Sequence, residues 1–426
     1  MKILQVNKFH YHRGGADKYY LELGAALERA GYQLAYFSML HPKNLPSDYK
    51  KYFVSRISFN EGGLADKIKA PGRIIYSLET KNKFKKLLKD FKPDIIHIHN
   101  IYHQLSPSIL DVARKAGIPV VMHLHDYKLI CPNYQLFAHG QICEDCKPDK
   151  YFRCARKRCF KNSYTKSWLA ALEMTVHHRW LKIYAKSINA FIAPSAFMKN
   201  KLVEFGWPEE KIKVVINPFS STLAKEMAKV NSLHADIGLQ PNSNLPKNIA
   251  ASKTEDYFLY FGRLSPEKGL SVLIKAITIS GSRLKLAGSG EEEETLRYLA
   301  KEQRAEAQFL GFKSGANLAY LIAGAKAVVI PSIWYENMPL SLLEALSLGK
   351  PVIASRIGGL PEIIEPGKNG WLFTPGDVEE CAACLKNAQR TDLEAMASAC
   401  RESVAQFSPA ANLAGVIETY QEVLKK

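Results

Sequence analysis

No window of about 18 uncharged apolar residues occurs in the 426-residue chain, so no helical membrane span is expected. The opening, MKILQVNKFHYHRGG, contains only the short apolar run ILQV. It reads as a first strand and loop, not a secretion signal, and points to a cytoplasmic protein with reduced thiols. There is no G-x-G-x-x-G fingerprint and no Walker A loop, which removes the plainest dinucleotide and P-loop signatures. Acidic residues are scarce in one place: 151–200 holds one against ten Lys and Arg. The whole chain carries +17, but residues 1–200 have 33 basic and 15 acidic side chains, the rest 25 and 26. The excess is therefore confined to the first half. A solubility bias is one reading. The favoured one is that this half faces something anionic: nucleic acid, a phosphorylated substrate or an anionic leaflet. With 47% apolar and 23% charged residues, most of the chain is expected to fold around cores.

Short β-branched runs alternate with longer amphipathic stretches. KILQVN (2–7), LAYFS (34–38), DIIHIH (94–99), PVVMHLH (119–125), AFIAPS (190–195) and KVVIN (213–217) read as strands. Helical spacing falls at 14–31, 80–91, 106–116 and 165–187. Residues 220–256 are poor in pattern. The alternation restarts with YFLYFGRL (257–264), RLKLAG (283–288), AQFLGF (307–312), AVVIPS (327–332) and PVIAS (351–355). This predicts an α/β protein of two doubly wound, Rossmann-like domains facing across a cleft. The boundaries expected are a first domain at 1–216 with a cysteine-rich insert at 131–159, a linker with insertion at 217–256, a second domain at 257–408, and a C-terminal helix at 409–426 docking back on the first.

The densest signal is PSIWYENMPLSLLEALSLGKPVIASRIGGLPEII (331–364). Glu336 and Glu344 are separated by seven residues, and Pro339 suits the first position of the helix between them. The amides of Asn337, Met338 and Leu340 then sit at a helix N-terminus, where anions bind. Carboxylates beside such a terminus suit a ligand with both phosphates and hydroxyls. A second such turn, at Gly358 and Gly359, precedes a helix expected near Pro361. Arg263 and Lys268 flank a turn closed by Gly269, two cations able to hold a diphosphate and stabilise it as it leaves. Gly14 and Gly15, between first strand and first helix, allow backbone amides near a phosphate. Gly288 and Gly290 read either as room for a nucleotide or as an ordinary turn. His125, closing its strand, reads as facing the mouth of the fold, His97 and His99 as the acceptor-side edge, and His123 as a core histidine.

Together these segments resemble the family 4 glycosyltransferases, retaining nucleotide-sugar enzymes of the two-domain GT-B fold. The resemblance rests on Glu336-x7-Glu344 with GGLPE, FGRLSPEKG, LAGSGEE, FLGF, the HRGGADKYYLELG loop, DIIHIHN, HLHDY and APSAFMK, in the family's order. It implies a nucleoside diphosphate sugar as donor and a sugar or lipid-linked saccharide as acceptor, in bacterial surface polysaccharide synthesis. It also implies that His125 meets the transferred sugar, that Glu336 orients its ring and Glu344 the ribose, and that Ser195 and Lys199 border the phosphates. The absence of an Asp-x-Asp pair, which holds a divalent metal in the other major glycosyltransferase architecture, agrees with metal-independent stabilisation by Arg263 and Lys268. Retention fits a front-face substitution in which the leaving phosphate takes the acceptor's proton.

Five of eight cysteines fall in 131–159. Their spacing leaves structural zinc on Cys143, Cys146, Cys154 and Cys159, or reduced thiols, as the two readings. Cys381, Cys384 and Cys400 read as buried small residues. In 153–187, Trp168, Leu172, Val176 and Trp180 share a helical face that reads as mainly core-facing. The Lys and Arg around it, and those in 67–92, suggest an enzyme peripheral to the anionic inner face of the cell membrane. Three other readings are weighed. A nucleotide-sugar 2-epimerase would share the architecture, but the full Glu-x7-Glu run speaks against it. A basic nucleic-acid-binding protein would need stacking platforms or a reading module, and neither is found, so nucleic acid is not expected as a partner. A catalytically dead relative is disfavoured by the retained Arg263, Lys268, Glu336 and Glu344.

Overall fold

The computed structural model describes residues 1–56, 72–218 and 256–425. The linker expected at 217–256 and the start of the basic stretch 67–92 lie largely outside these residues. Two compact units emerge. One comprises Met1–Ala138, Cys143–Ile216 and Leu413–Lys426, the other His139–Ile142 and Asn217–Asn412.

In the first unit the β-branched runs become β1 (Lys2–Val6), β2 (Gln33–Phe37), β3 (Ile95–Ile98) and β4 (Val120–His123). In the insert β5 (Phe137–Ala138) precedes β7 (Ala190–Ala193) and β8 (Ile212–Val214), while β6 (Gln141–Ile142) is counted with the second unit. The main sheet is parallel throughout, in the order β2-β1-β3-β4-β7-β8. Every residue of β3, β4 and β7 is buried, as expected of strands covered on both faces. The helix Pro409–Leu424 closes one face. Its Val416, Tyr420 and Val423 share a core with Ile3, Tyr19, Leu23, Ile95 and Ile192, so the C-terminal segment does dock back on the first unit.

In the second unit β9 (Phe258–Phe261), β10 (Arg283–Ala287), β11 (Glu306–Phe309), β12 (Val328–Ile330), β13 (Val352–Ser355) and β14 (Gly370–Phe373) form a parallel sheet ordered β11-β10-β9-β12-β13-β14. Counted within the unit this is 3-2-1-4-5-6. The direction of strand addition reverses between β9 and β12, which makes the carboxyl ends of these two strands the switch point beside which ligands of such sheets bind. Its core gathers Phe258, Leu273, Ile277, Leu286, Val329 and Phe373 around the helices Leu270–Ser280 and Val378–Arg390. Cys381, Cys384 and Cys400 are buried.

Three local expectations change. β4 ends at His123, so His125 lies in the turn beyond its strand. The single helix expected over 165–187 is broken into Tyr164–Met174, a wide π turn at Thr175–Trp180, and Ile183–Ser187, with Lys182 left-handed at φ 50°. The stripe on its first part is not core-facing. Trp168, Leu172 and Trp180 are 46%, 43% and 69% exposed. The buried face is instead Ser167, Ala170, Ala171, Glu173 and Met174, because the Glu173 carboxylate is drawn inward to Lys128 Nζ at 2.9 Å.

Candidate active site

The loops after β9 and β12 are locked to each other. Ile333 N–H donates to the Glu267 carbonyl at 3.0 Å. Gly269, at φ 67°, packs so closely that a Cβ would lie 2.0 Å from the Pro331 carbonyl oxygen. Only glycine fits there, on both counts. This brings Lys268 to Glu336: Nζ donates to Oε1 at 2.6 Å. The same oxygen accepts from Ser332 Oγ at 2.6 Å and Trp334 Nε1 at 2.9 Å. Among the described residues Oε2 takes none of these bonds. Glu336 is buried. Burial alone would raise its pKa, but the Lys268 charge and the three donors outweigh that and hold the carboxyl below its ordinary value.

The Glu336 backbone is fixed from the far side. Gly359 N–H donates to its carbonyl at 2.8 Å, and a Cβ on Gly358 (φ 62°) would lie 2.0 Å from that oxygen. The glycine pair thus supports Glu336. The helix expected after it is only a single turn of 3-10 helix, Leu360–Glu362. Pro339 stands one position earlier than expected, at the N-cap, and the helix runs Leu340–Ser347 with no side-chain cap. Glu344 is buried within its second turn, and Met338 is buried in the loop before it. Asn337 and Leu340 are half-buried.

Arg263 is 62% exposed, with Nη2 3.5 Å from Glu267 Oε1. Tyr260 OH donates to the Arg263 carbonyl at 2.6 Å and holds that turn. Gly288 and Gly290 face chain, not open space: Cβ atoms there would meet the carbonyl oxygens of Gly262 at 1.8 Å and Leu264 at 2.0 Å. Their small size serves the packing of the β10 loop on the β9 loop, and through it the placement of Arg263. Ser332, Trp334 and Tyr260 escaped the sequence reading. They lie inside or beside the quoted motifs, but only the loop's fold turns three side chains onto one carboxylate oxygen or one carbonyl. A depression of about 510 Å³ lined by Arg283, Lys285 and Glu306 lies at the amino ends of β10 and β11. That is the sheet edge opposite to where ligands of such folds bind.

In the first unit Gly14 caps the helix Gly15–Arg29 in extended conformation, and a Cβ there would meet only Asp17 Oδ2, at 3.9 Å. Asp17 stands in the first helical turn, its Oδ1 accepting from Asn7 Nδ2 at 2.9 Å. His97 and His99 do not form an edge. Both are fully buried, His97 Nδ1 lying 2.5 Å from Tyr420 OH. His99 bridges Gln5 Oε1 and His125 Nε2, each at 2.9 Å. With Gln5 Oε1 accepting from His99 Nε2–H, His99 Nδ1 is the acceptor and His125 Nε2 the donor. The His125 proton then sits on Nε2, and its lone pair on Nδ1. Burial first, then neighbouring imidazoles, hold His97, His99 and His125 well below the usual histidine range, so all are neutral at pH 7. His123 is buried and stacks on His125 with ring centroids 4.7 Å apart. Ser195 and Lys199 have local partners: Ser195 Oγ caps the helix Ala196–Glu204 by accepting from Met198 N–H at 3.1 Å, and Lys199 pairs with Glu209 at 3.0 Å.

Among the described residues no group of three or more His, Cys, Asp or Glu is arranged to hold a metal ion. Cys146 and Cys154 are packed with Tyr151, Ala155, Ala171 and Met174 in a small apolar core. Cys131 Sγ donates to Asn133 Oδ1 at 2.8 Å. A hydrogen bond with Cys159, and then burial, push the Cys143 thiol up; Cys159 also meets Cys154 and packs against this small core.

Two parallel Rossmann-like sheets, with the C-terminal helix returning to the first, define the GT-B fold. Two family descriptions match: "Glycosyltransferase Family 4" over residues 13–221 and "Glycosyl transferases group 1" over 242–424. The chain belongs to this family of glycosyltransferases. An uncharacterised glycosyltransferase of Methanocaldococcus jannaschii is 35% identical over 178 residues, 40% of this chain and 43% of that protein. A putative colanic acid biosynthesis glycosyltransferase, WcaL of Salmonella typhimurium, is 34% identical over 159 residues, 34% of this chain and 39% of that protein. The chain thus spans less than half the length of these curated relatives. Among solved structures, Anabaena HepE in complex with UDP superimposes with a TM-score of 0.64 at 20% identity, covering 99% of this chain and 100% of that one.

Proposed function

We propose that the protein transfers a glycosyl unit from a nucleoside diphosphate sugar to a saccharide or lipid-linked saccharide, with retention at the anomeric carbon, in the building of a surface polysaccharide. The observation that carries this reading is the Lys268–Glu336 pair at the β9/β12 switch point. One carboxylate oxygen is saturated by three fixed donors, so the other is oriented to accept from a sugar hydroxyl without reorganisation. Lys268 gives one of its three N–H donors to Glu336 and keeps two for phosphate oxygens. Arg263 adds an exposed cation, and the N-terminus of the Leu340–Ser347 helix adds amides. Glu344 is assigned to the ribose. His125, with its lone pair fixed on Nδ1, is assigned to the transferred sugar, as the family resemblance implies.

In the reaction the bond from the anomeric carbon to the diphosphate oxygen breaks. The acceptor oxygen bonds to the same face, and its proton passes to the leaving phosphate. The negative charge developing on the leaving diphosphate is stabilised by Arg263 and Lys268. The polysaccharide role follows the named role of the Salmonella relative, and the UDP bound to the Anabaena protein makes UDP the first ligand to try. A thermal-shift panel of nucleoside diphosphates and their sugars, with and without magnesium, tests the reading. One base is expected to stabilise the protein strongly in either condition, and Arg263→Ala to abolish the shift. Glu336→Ala is expected to lower turnover by about 10²–10³-fold while leaving binding of the bare nucleotide nearly intact. No shift from any nucleotide would sink it.

A further inference from the structure

The helix Tyr164–Met174 and the wide turn after it are oriented by buried polar contacts. Glu173 is held by Lys128 at 2.9 Å and by His103 at 3.4 Å. His177 Nε2 lies 2.7 Å from the Ile75 carbonyl. These contacts fix which way the element faces, and the outward side is apolar. Tyr164, Trp168 and Leu172, spaced four apart, are 53%, 46% and 43% exposed, and Trp180 beyond the turn is 69% exposed. The Tyr164 and Trp168 rings meet edge to face, with centroids 6.3 Å apart. Exposed large apolar side chains elsewhere, such as Tyr298 and Phe312, are not aligned on one helix face in this way. An ordered aromatic stripe on the outside of a folded unit is a contact surface.

Its surroundings select the partner. From 156 to 186 the only acidic residue is Glu173, and that one is buried. Lys161, Lys166, Arg179 and Lys182, its neighbours along the chain, are all exposed. Aromatic rings flanked by cations fit the headgroup layer of an anionic bilayer, where the rings lie at the water–hydrocarbon boundary and the cations meet lipid phosphates. We propose that this face is a membrane-docking surface, seating Trp168, Leu172 and Trp180 in the interfacial layer of an anionic leaflet. It binds from the side, without a span: no helix among the described residues is long and apolar enough to cross a membrane. The inference does not rest on the transfer reaction.

The test is sedimentation of the full chain with vesicles of phosphatidylcholine alone, or of phosphatidylcholine and phosphatidylglycerol in equal parts. Binding is expected only to the second kind, weakening as salt is raised. Trp168→Ser with Trp180→Ser, and separately Lys166→Glu with Arg179→Glu, are each expected to weaken it by about tenfold or more. Thermal melting and any nucleotide-induced shift should be unchanged in both variants, since these side chains are exposed. That control separates a failed docking surface from a failed donor site. Absence of binding at low ionic strength overturns the proposal, as does binding unaffected by both double variants. Concentration-dependent self-association without lipid, lost in the tryptophan variant, would make the face a self-contact and overturn it. Binding to RNA tighter than to the vesicles, with the same tryptophan dependence, would do so too.

Discussion

Glu336 shows how one buried charge is made useful. Its environment costs desolvation, and the offset comes from Lys268, Ser332 and Trp334, all on Oε1. Removing the cation leaves an uncompensated buried carboxylate, so Lys268→Met is expected to destabilise the second unit by about 3 kcal/mol, read from its denaturant midpoint. The pH dependence follows from the sign. The folded Glu336 pKa lies below its ordinary value of 4.5, so its stabilisation is complete above that value and is lost as pH falls through the folded pKa. Lys268→Met should raise the folded pKa and move acid unfolding to higher pH. Gly358→Ala should cost at least about 2 kcal/mol, since it adds both a strained positive φ and a clash with the Glu336 carbonyl. Unchanged stability would mean that the turn does not support Glu336. In the first unit, nitrogen NMR should show His125 protonated on Nε2. His99→Phe should replace that with a tautomer mixture; an unaltered spectrum would remove His99 as a positioning residue.

The C-terminal helix is the element whose role most exceeds its local sequence. It supplies Val416, Tyr420 and Val423 to the core of a unit whose other members come from residues 3–192. Tyr420 also reaches His97, on β3. Tyr420→Phe keeps the packing and leaves the buried His97 Nδ1 unpaired, so a loss of about 1–3 kcal/mol is expected in the first unit alone. Differential scanning calorimetry is the check, and an equal loss in the second unit would contradict the placement of this helix. Periodicity showed an amphipathic helix here. Its return to the first unit was expected; which residues it meets there, Tyr19, Ile95 and Ile192 among them, was not legible, because a stripe of apolar residues is the same whichever side chains receive it. The 165–187 stretch makes the converse case: its Trp and Leu stripe has core spacing, yet the Lys128–Glu173 pair turns that face to solvent.

At the scale of the whole molecule, two separate cores predict two unfolding transitions. Buried neutral histidines set them apart. His97, His99 and His125 have folded pKa values well below 6.5, and His10 is lowered to about 4 by burial. Such groups contribute fully above pH 6.5, and their contribution is lost as pH falls toward the folded values. All four lie in the first unit. Lowering the pH from 7 to 5 should therefore reduce the first unit's midpoint and leave the second's nearly unchanged. A uridine or other nucleoside diphosphate should raise only the second.

The alternation of β-branched runs with amphipathic stretches determined two parallel α/β sheets by itself, because strands covered on both faces must be apolar throughout and crossovers must be helical. Motif spacing likewise determined that Arg263, Lys268, Glu336 and Glu344 belong to loops and helix starts after strands of one sheet. Only the tertiary structure decided which loops meet. Strand order is set by long-range packing, so the adjacency of β9 and β12, and with it the Lys268–Glu336 bond, appears in no local pattern. The same reason moved His97 and His99 into the core: residues close in sequence share a site only if the chain folds them toward one point.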